Sequence, residues 1–593
     1  SSNPLEFTYI TIGRYDEIKD VTNNGLIVLE TGEGLIARTV AFANTNVVNT
    51  GSVYVISHGQ NGATFLDFTS RFYNSGLVAV RSDYFGARGV NMNNGGIIHN
   101  EEGGSLLVEG HSPIAIVMGD STVDSETNSH IINDGLIEVN SLGGSPSIGI
   151  YASHIYGQLD FINSGTLRAE YAYISDYGVT MPMAFVDTIL NEETGRIEGH
   201  ILLDRGDDVV TNHGEIVGHV LMEEGNDLFD NRGGTLVGVA DMGWGNDTFH
   251  GGDGDERVAG GDGEDLLEGG GGQDLLMGGW GNDTLVGGAG ADGLFGEYGD
   301  DLIETEGQDY VGGGAGDDRI VAGDFQFETL DGGTGHDTVV LNGGARKIDL
   351  SAVLEQGALA DIEALVLTGQ QTLCVRAADI IALTGGESAL WVTLTGSDQL
   401  DLVGAWTEGA DRVMDGIVWR TFTLEGRTLF VAGAGNVVPN AVPSGTGLDD
   451  LTSPLAPLPG EASGLGFTSP EVFLNAYGLT ADTTVGAGQI WYSADGAAVV
   501  ETQDPYTFTN DGVISSYRAA DSTARNSAFA IDSAGSAGGP VINTGAILLE
   551  NHATHPSNCN TFVVSGGVCS IITNYGSISW GGASERVWAL IGA

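Results

Sequence analysis

The sequence predicts an all-β chain built of stacked coils: a parallel β-helix running into a β-roll, then a small β-rich module and a second β-helical segment. Three observations carry this reading. The middle of the chain repeats an acidic residue every nine positions, a recurring Asn-x-Gly pattern flanks it, and 95 glycines coexist with 41% hydrophobic residues in a chain of 593. A flexible acidic tail has too little apolar content for the last of these.

Residues 1–240 read as the parallel β-helix. Copies of Asn-x-Gly followed by alternating aliphatics include VTNNGLIV (21–28), VVNTGSVYV (47–55), FYNSGLVAV (72–80), IINDGLIEV (131–139) and FINSGTLRA (161–169). LNEETGRIEG (190–199), VTNHGEIVG (210–218) and DNRGGTLVG (230–238) continue the series. Each copy reads as strand, turn, strand, which also suits a stack of hairpins. Irregular spacing and the lack of a common partner strand favour solenoid coils, each burying its face on the next. The copies tighten along the chain, and RGDDVV (205–210), EGNDLF (224–229) and WGNDTF (244–249) appear once per coil. They place Asp208, Asp227 and Asp247 on one edge, so the β-helix is expected to pass directly into the next segment.

Residues 241–341 hold the nine-residue period. Asp247, Glu256, Asp265, Asp274, Asp283, Asp292 and Asp301 follow one another without a slip, and Asp309, Asp318 and Asp337 continue more loosely. Two residues after each comes an apolar residue: Phe249, Val258, Leu267, Leu276, Leu285, Leu294, Ile303, Val311, Ile320 and Val339. Before the carboxylates the chain reads Gly-Gly-x-Gly, as in Gly260-Gly261-Asp262-Gly263. This pattern, G-G-x-G-x-D-x-U-x, resembles the calcium-binding nonapeptide of RTX proteins. Six residues turn, three form a short strand, and two units close one coil of a β-roll. Glycine allows the positive-φ turn, and carboxylates with turn carbonyls are hard oxygen ligands suited to Ca²⁺. The apolar residue is expected to point away from the carboxylate and fill the core. One buried aliphatic in nine residues does not offset ordering so much glycine, and stacked carboxylates repel. The segment is therefore expected to need several Ca²⁺ ions to fold. The predicted ligands are the ten acidic residues of this period together with Asp227.

Residues 342–436 lose glycine and alternate like strands, and the resemblance extends to the β-rich module that follows RTX repeats in large bacterial surface proteins. Its implied role is to cap the roll, with AADIIALT as a short helix. Six of the thirteen prolines fall in 437–470, a semi-extended linker. The Asn-x-Gly pattern returns in 471–593 as FTNDGVIS (508–515), VINTGAILL (541–549) and ITNYGSIS (572–579), a second β-helical segment. Cys559 and Cys569 are candidates for a disulfide in an oxidising compartment, leaving Cys374 over.

Charge narrows the partners. A formal net charge of −59, from 80 acidic and 21 basic residues, opposes nucleic acid and anionic lipid and favours cations. No apolar run reaches the roughly 18 residues of a membrane span. The start, SSNPLEF, lacks a basic-then-apolar export pattern, which points to a removed signal or another export route. The chain has no His-Glu-x-x-His, no Gly-x-Ser-x-Gly and no phosphate loop. The resemblance to RTX surface-layer proteins, adhesins and matrix proteins of Gram-negative bacteria implies a secreted, calcium-dependent structural protein that polymerises outside the cell. Two other readings stand beside it. One is an adhesin stalk holding a glycan-binding tip away from the cell. The other is a β-helical polysaccharide lyase or epimerase, with Asp207, Asp208, His213 and His219 as the nearest candidate group.

Overall fold

The chain is described from a computed structural model, which covers residues 8–441 and the strand backbones of 471–591. Residues 13–18, 32–36, 42–44, 59–61, 120–128, 154–158, 177–185 and 324–326, with a few single positions, are not described. The prolines of 442–470, the start SSNPLEF, and Cys559 and Cys569 with their expected disulfide also lie outside the described residues. Cys374 is a free, buried thiol.

Strands from successive coils pair in parallel, in register, as the solenoid reading requires and a hairpin stack does not. Val47 faces Phe72, which faces Ile98, Ile131, Phe161, Ile189 and Val210 in turn. The same column runs on through Phe229, Phe249, Leu267, Leu285, Ile303, Ile320 and Val339. It continues through Leu365 and Val392 to Val431, so one apolar file crosses the β-helix, the repeat block and the segment after it. Each side chain in it is buried. A β-strand turns alternate residues to the same face, so every coil contributes an inward apolar position at this register.

The coil changes shape where the nine-residue period begins. Upstream there are three sheets; the second holds Arg196–Leu202, Glu215–Val217 and Thr235–Val237 and goes no further. The third continues from Val220–Leu221 through Ala240–Trp244, Arg257–Asp262 and Leu275–Trp280. The coil thus closes on two sheets, joined by two turns of the repeat, and shortens to 18 residues, as the steps Asp247 to Asp265 and Asp265 to Asp283 show.

After the block, Thr338–Leu341, Ala364–Leu367, Ala389–Leu394 and Arg427–Gly433 extend the same parallel sheet. The segment read as a cap therefore also prolongs the solenoid. Two short helices, Leu350–Glu355 and Ala377–Leu383, bury Leu350, Val353, Ile380 and Leu383 in the core. The second is the helix expected at AADIIALT. Antiparallel pairing enters with Arg412–Met414 and Ile417–Leu424, joined by Asp415 and Gly416 at φ 53° and 80°, the positive-φ pair of a tight hairpin turn. The first residues of the expected linker belong to the strand Asn436–Ala441, which pairs with Gln399–Val403.

Between 471 and 591 the strands form three parallel sheets of five, five and four strands. Asn510, Asn543 and Asn574 share one register position there. That is the second β-helical segment read from the returning Asn-x-Gly pattern.

Candidate metal centre

Two kinds of ladder run along the corners of the solenoid, and their chemistry differs. The first is made of amides. Asn23 donates through Nδ2 to Oδ1 of Asn49, and the same bond links Asn49 to Asn74, Asn74 to Asn100, and Asn100 to Asn133, each at 2.8 Å. Asn133, Asn163, Asn191, Asn212 and Asn231 continue it at 2.7–2.8 Å. An amide carries both donor and acceptor, so such a stack satisfies itself inside the protein and carries no charge. The sequence pattern located most of these asparagines as turn residues. It missed Asn100, which Glu101-Glu102-Gly103-Gly104 follows instead of an Asn-x-Gly. The signal that finds it is the gap from Asn74 to Asn133, two coils wide.

The second kind is made of carboxylates. The backbone N–H of Asp187 donates to Oδ1 of Asp208, and Asp208 does the same to Asp227, one coil further on. Asp227, Asp247, Asp265, Asp283, Asp301 and Asp318 repeat the bond as far as Asp337, whose N–H reaches Oε2 of Glu363. All are 2.7–3.0 Å. The opposite corner carries a shorter file in which Glu256, Asp274 and Asp292 donate in turn to Asp274, Asp292 and Asp309. The sequence period is therefore split between two edges, alternate copies to each. The amide ladder meets this second file end on, Asn231 Nδ2 donating to Glu256 Oε1 at 2.9 Å.

A carboxylate differs from an amide in having no donor. From Asp227 to Asp337 the eleven predicted ligands are at most 3% exposed. One oxygen of each aspartate takes a backbone N–H from the preceding coil, and Oε1 of Glu256 takes the Asn231 amide. The other, Oδ2 of Asp227, Asp247, Asp274, Asp292, Asp301, Asp318 and Asp337 and Oε2 of Glu256, is buried with no hydrogen-bond partner. Leaving a buried acceptor unmade costs roughly 1–3 kcal/mol, more for a charged group. Burial accordingly pushes Asp247 up to about 9 and Asp301, Asp318 and Asp337 to about 7, with neighbouring carboxylates adding to the rise. Such oxygens call for a cation.

The backbone leaves room for one. In most turns the second glycine is left-handed, at φ 99° in Gly243, 107° in Gly261 and 111° in Gly279, and so is the fourth, at 136° in Gly245 and 146° in Gly263. The first glycine is needed for closeness. A Cβ on Gly260 would lie 2.5 Å from both Asp265 Oδ2 and the carbonyl oxygen of Gly278. Carboxylate and carbonyl oxygens thus flank a common point, repeated at Gly269, Gly278, Gly296 and Gly313. Among the described residues, no three His, Cys, Asp or Glu side chains converge as a cage. The remaining oxygens of a six- to eight-fold calcium shell must come from turn carbonyls. Bound there, Ca²⁺ supplies the positive charge that neither the backbone nor the sparse basic residues provide.

Three sequence expectations change. The apolar residue does not point away from the carboxylate: Leu267, Leu276 and Leu285 are as buried as Asp265, Asp274 and Asp283. A spacing of two keeps both on the inner face. Asp309 also departs from its set, because its Oδ2 accepts from the Thr305 hydroxyl and the Glu306 N–H. Thr305 occupies the place of the second glycine and fills the acceptor that is open elsewhere. The group weighed for catalysis does not assemble. Asp208 is buried in the ladder and Asp207 is exposed beside Asn226. His213, bonded to the Arg232 carbonyl, and His219, stacked on His200, occupy two further corners of the coil.

Position five of the turn holds a feature the period did not suggest. Oδ1 of Asp207, Asn226, Asn282, Asp300 and Asp317 each accepts a backbone N–H from the next coil. This outer cap runs in the opposite direction to the inner ladder, and the recurrence of Asn or Asp just before the ligand is its sequence signal.

Comparison with known protein families matches residues 243–276, 277–311 and 327–346 to the RTX calcium-binding nonapeptide repeat, in four copies. No curated protein and no solved structure matches the chain significantly. The buried carboxylate ladders fit the calcium-binding turns of that repeat, and Ca²⁺ is the ion it binds. The chain thus carries a block of RTX calcium-binding repeats, built into a longer solenoid.

Proposed function

We propose that this is a secreted structural protein whose solenoid is completed by calcium outside the cell, where copies then stack end to end into a lattice, fibre or matrix. The observation that carries the calcium-dependent part is the row of buried carboxylate oxygens without donors in the repeat block. A chain kept at low free calcium cannot satisfy them; in millimolar calcium it can. Calcium then acts as a folding switch tied to compartment, and binding free energy becomes folding free energy.

Assembly rests on a different property. Among the described residues, successive coils pair through parallel backbone bonds, and a strand edge left unpaired on such a coil is a template for another chain. Stacking of that kind is heterologous and gives open filaments rather than closed rings. With a formal net charge of −59, calcium also screens repulsion between copies.

Electron microscopy and sedimentation of the full chain, with millimolar Ca²⁺ and with EDTA, test the proposal. Filaments or sheets in calcium that disperse in EDTA are expected. A monodisperse monomer at high protein concentration in calcium overturns assembly, and an identical circular dichroism spectrum in EDTA and calcium overturns the folding switch.

A further inference from the structure

The matched repeat begins at residue 243, but the carboxylate file does not. We infer that the turn at Asp227, one coil upstream of the block, is itself a calcium site, loaded on one edge of the coil only. The inference rests on the calcium reading of the repeat block and extends it to residues outside the matched repeat.

Several features of the block recur at this turn, although its first position holds the buried Met222, as the Asp247 turn holds Met242, where later turns have a glycine. Asp227 is 2% exposed, its Oδ1 accepts the Asp208 N–H at 2.7 Å, and its buried Oδ2 has no partner. Asp247, the next member, has the same open Oδ2. The N–H of Gly225 donates to the Trp244 carbonyl, as Gly245 does to Asp262 and Gly263 to Trp280. A Cβ on Gly225 would fall on the Gly206 carbonyl oxygen and 2.5 Å from Asp227 Oδ1, and one on Gly290 would meet Gly272 and Asp292 in the same way.

The second position of the turn separates Asp227 from Asp208. Glu223 stands there at φ 69°, as Glu297 stands in the Asp301 turn at φ 73°, both where other copies use a left-handed glycine. Holding a glutamate in that conformation shows that the turn shape is kept without its usual residue. The corresponding Asp204 in the Asp208 turn is not left-handed. The site therefore opens at Asp227 and not one coil earlier. The other corner of the same coils is closed by Asn212 and Asn231, hydrogen bonded to each other at 2.7 Å. That corner is neutral and self-satisfied, so cations enter on one edge here and on both within the block.

Equilibrium dialysis of the full chain with Tb³⁺, a luminescent ion that takes calcium's oxygen sites, tests this. Asp227→Asn keeps the Oδ1 acceptor and replaces Oδ2 with an amide. It is expected to lower bound Tb³⁺ by one per chain and to reduce emission sensitised by Trp244, which bridges Glu224 in the adjacent turn. Asp274→Asn, on the opposite edge inside the block, is expected to lower the count and leave the Trp244-sensitised emission. An unchanged count in Asp227→Asn with a lowered count in Asp274→Asn overturns the Asp227 site alone. Unchanged counts in both overturn the calcium reading as well. Should Asp227→Asn fail to fold, the anomalous signal of Tb³⁺ in crystals of the unaltered chain decides: a peak beside Asp227 supports the site, and peaks beginning only at later turns refute it.

Discussion

Asparagine and aspartate have nearly the same shape, and in this protein the difference between them separates a metal-independent corner from a metal-dependent one. In the amide ladder each Nδ2 donates to the next Oδ1, at 2.8 Å between Asn133 and Asn163. Asn163→Asp keeps the volume and removes the donor, leaving a buried acceptor facing Asn191 and a charge in the stack. It is expected to destabilise the β-helix by roughly 1–3 kcal/mol, read as a lower midpoint of thermal unfolding in EDTA. Glycine makes the complementary point in the block. A Cβ on Gly287 would sit 2.7 Å from Asp292 Oδ2 and 3.2 Å from the Leu294 side chain. Gly287→Ala should therefore weaken calcium binding and lower the calcium-loaded midpoint by roughly 1–3 kcal/mol, the usual cost of overpacking. Calorimetric calcium titration of the variant checks this, and an unaltered isotherm counts against the oxygen-lined point described above.

At the scale of the element, the corners decide where a coil is conditional. The corner between the second and third sheets carries stacked histidines rather than a ligand. His200 and His219 lie 4.9 Å apart and nearly parallel, next to Tyr171. The N–H of His219 donates to His200 Nδ1, and that of Val239 donates to His219 Nδ1. Both rings must be neutral at Nδ1 to accept. Burial, with His200 adding to it, pushes His219 down to about 4, and burial lowers His200 against an opposing pull from Glu170. A histidine whose folded pKa lies below its unfolded value of about 6.5 favours the fold fully above 6.5. That contribution is lost as pH falls toward 4. Allowing for partial exposure, on the order of 2 kcal/mol is at stake. The stability difference between the wild type and His219→Leu in EDTA is expected to be constant from pH 7 to 8 and to shrink between pH 6.5 and 4. A difference independent of pH would refute the assignment. The corner at Asp309 is also self-contained, because Thr305 supplies its donor.

For the whole molecule, one apolar column from Val47 to Val431 runs beneath ladders of different chemistry. The interior is shared, so the corners set which coils stand alone. Calcium removal is expected to unfold the block around 242–340 and leave the amide-laddered coils upstream. Strand signal in circular dichroism should fall in EDTA without vanishing, and limited proteolysis should cut within 242–340 only when calcium is absent. Uniform loss of all strand signal would show that the amide ladder cannot hold its coils without the block.

The all-β class, the coiled architecture, the nine-residue period and the ion it suits were legible before folding, because they follow from local repetition. Alternating aliphatics specify a strand with one inner face, and Gly-Gly-x-Gly before an acidic residue specifies a turn rich in oxygen ligands. Tertiary structure alone decided what depends on how a coil closes. It divided the carboxylates between two edges, turned both Asp265 and Leu267 inward, and revealed the asparagines as a buried stack that includes Asn100. It also filled Asp309 while leaving Asp227 open, although both carboxylates belong to the same acidic pattern. Whether a buried oxygen finds a donor is settled by groups a full coil away in the sequence, and no local pattern encodes that distance.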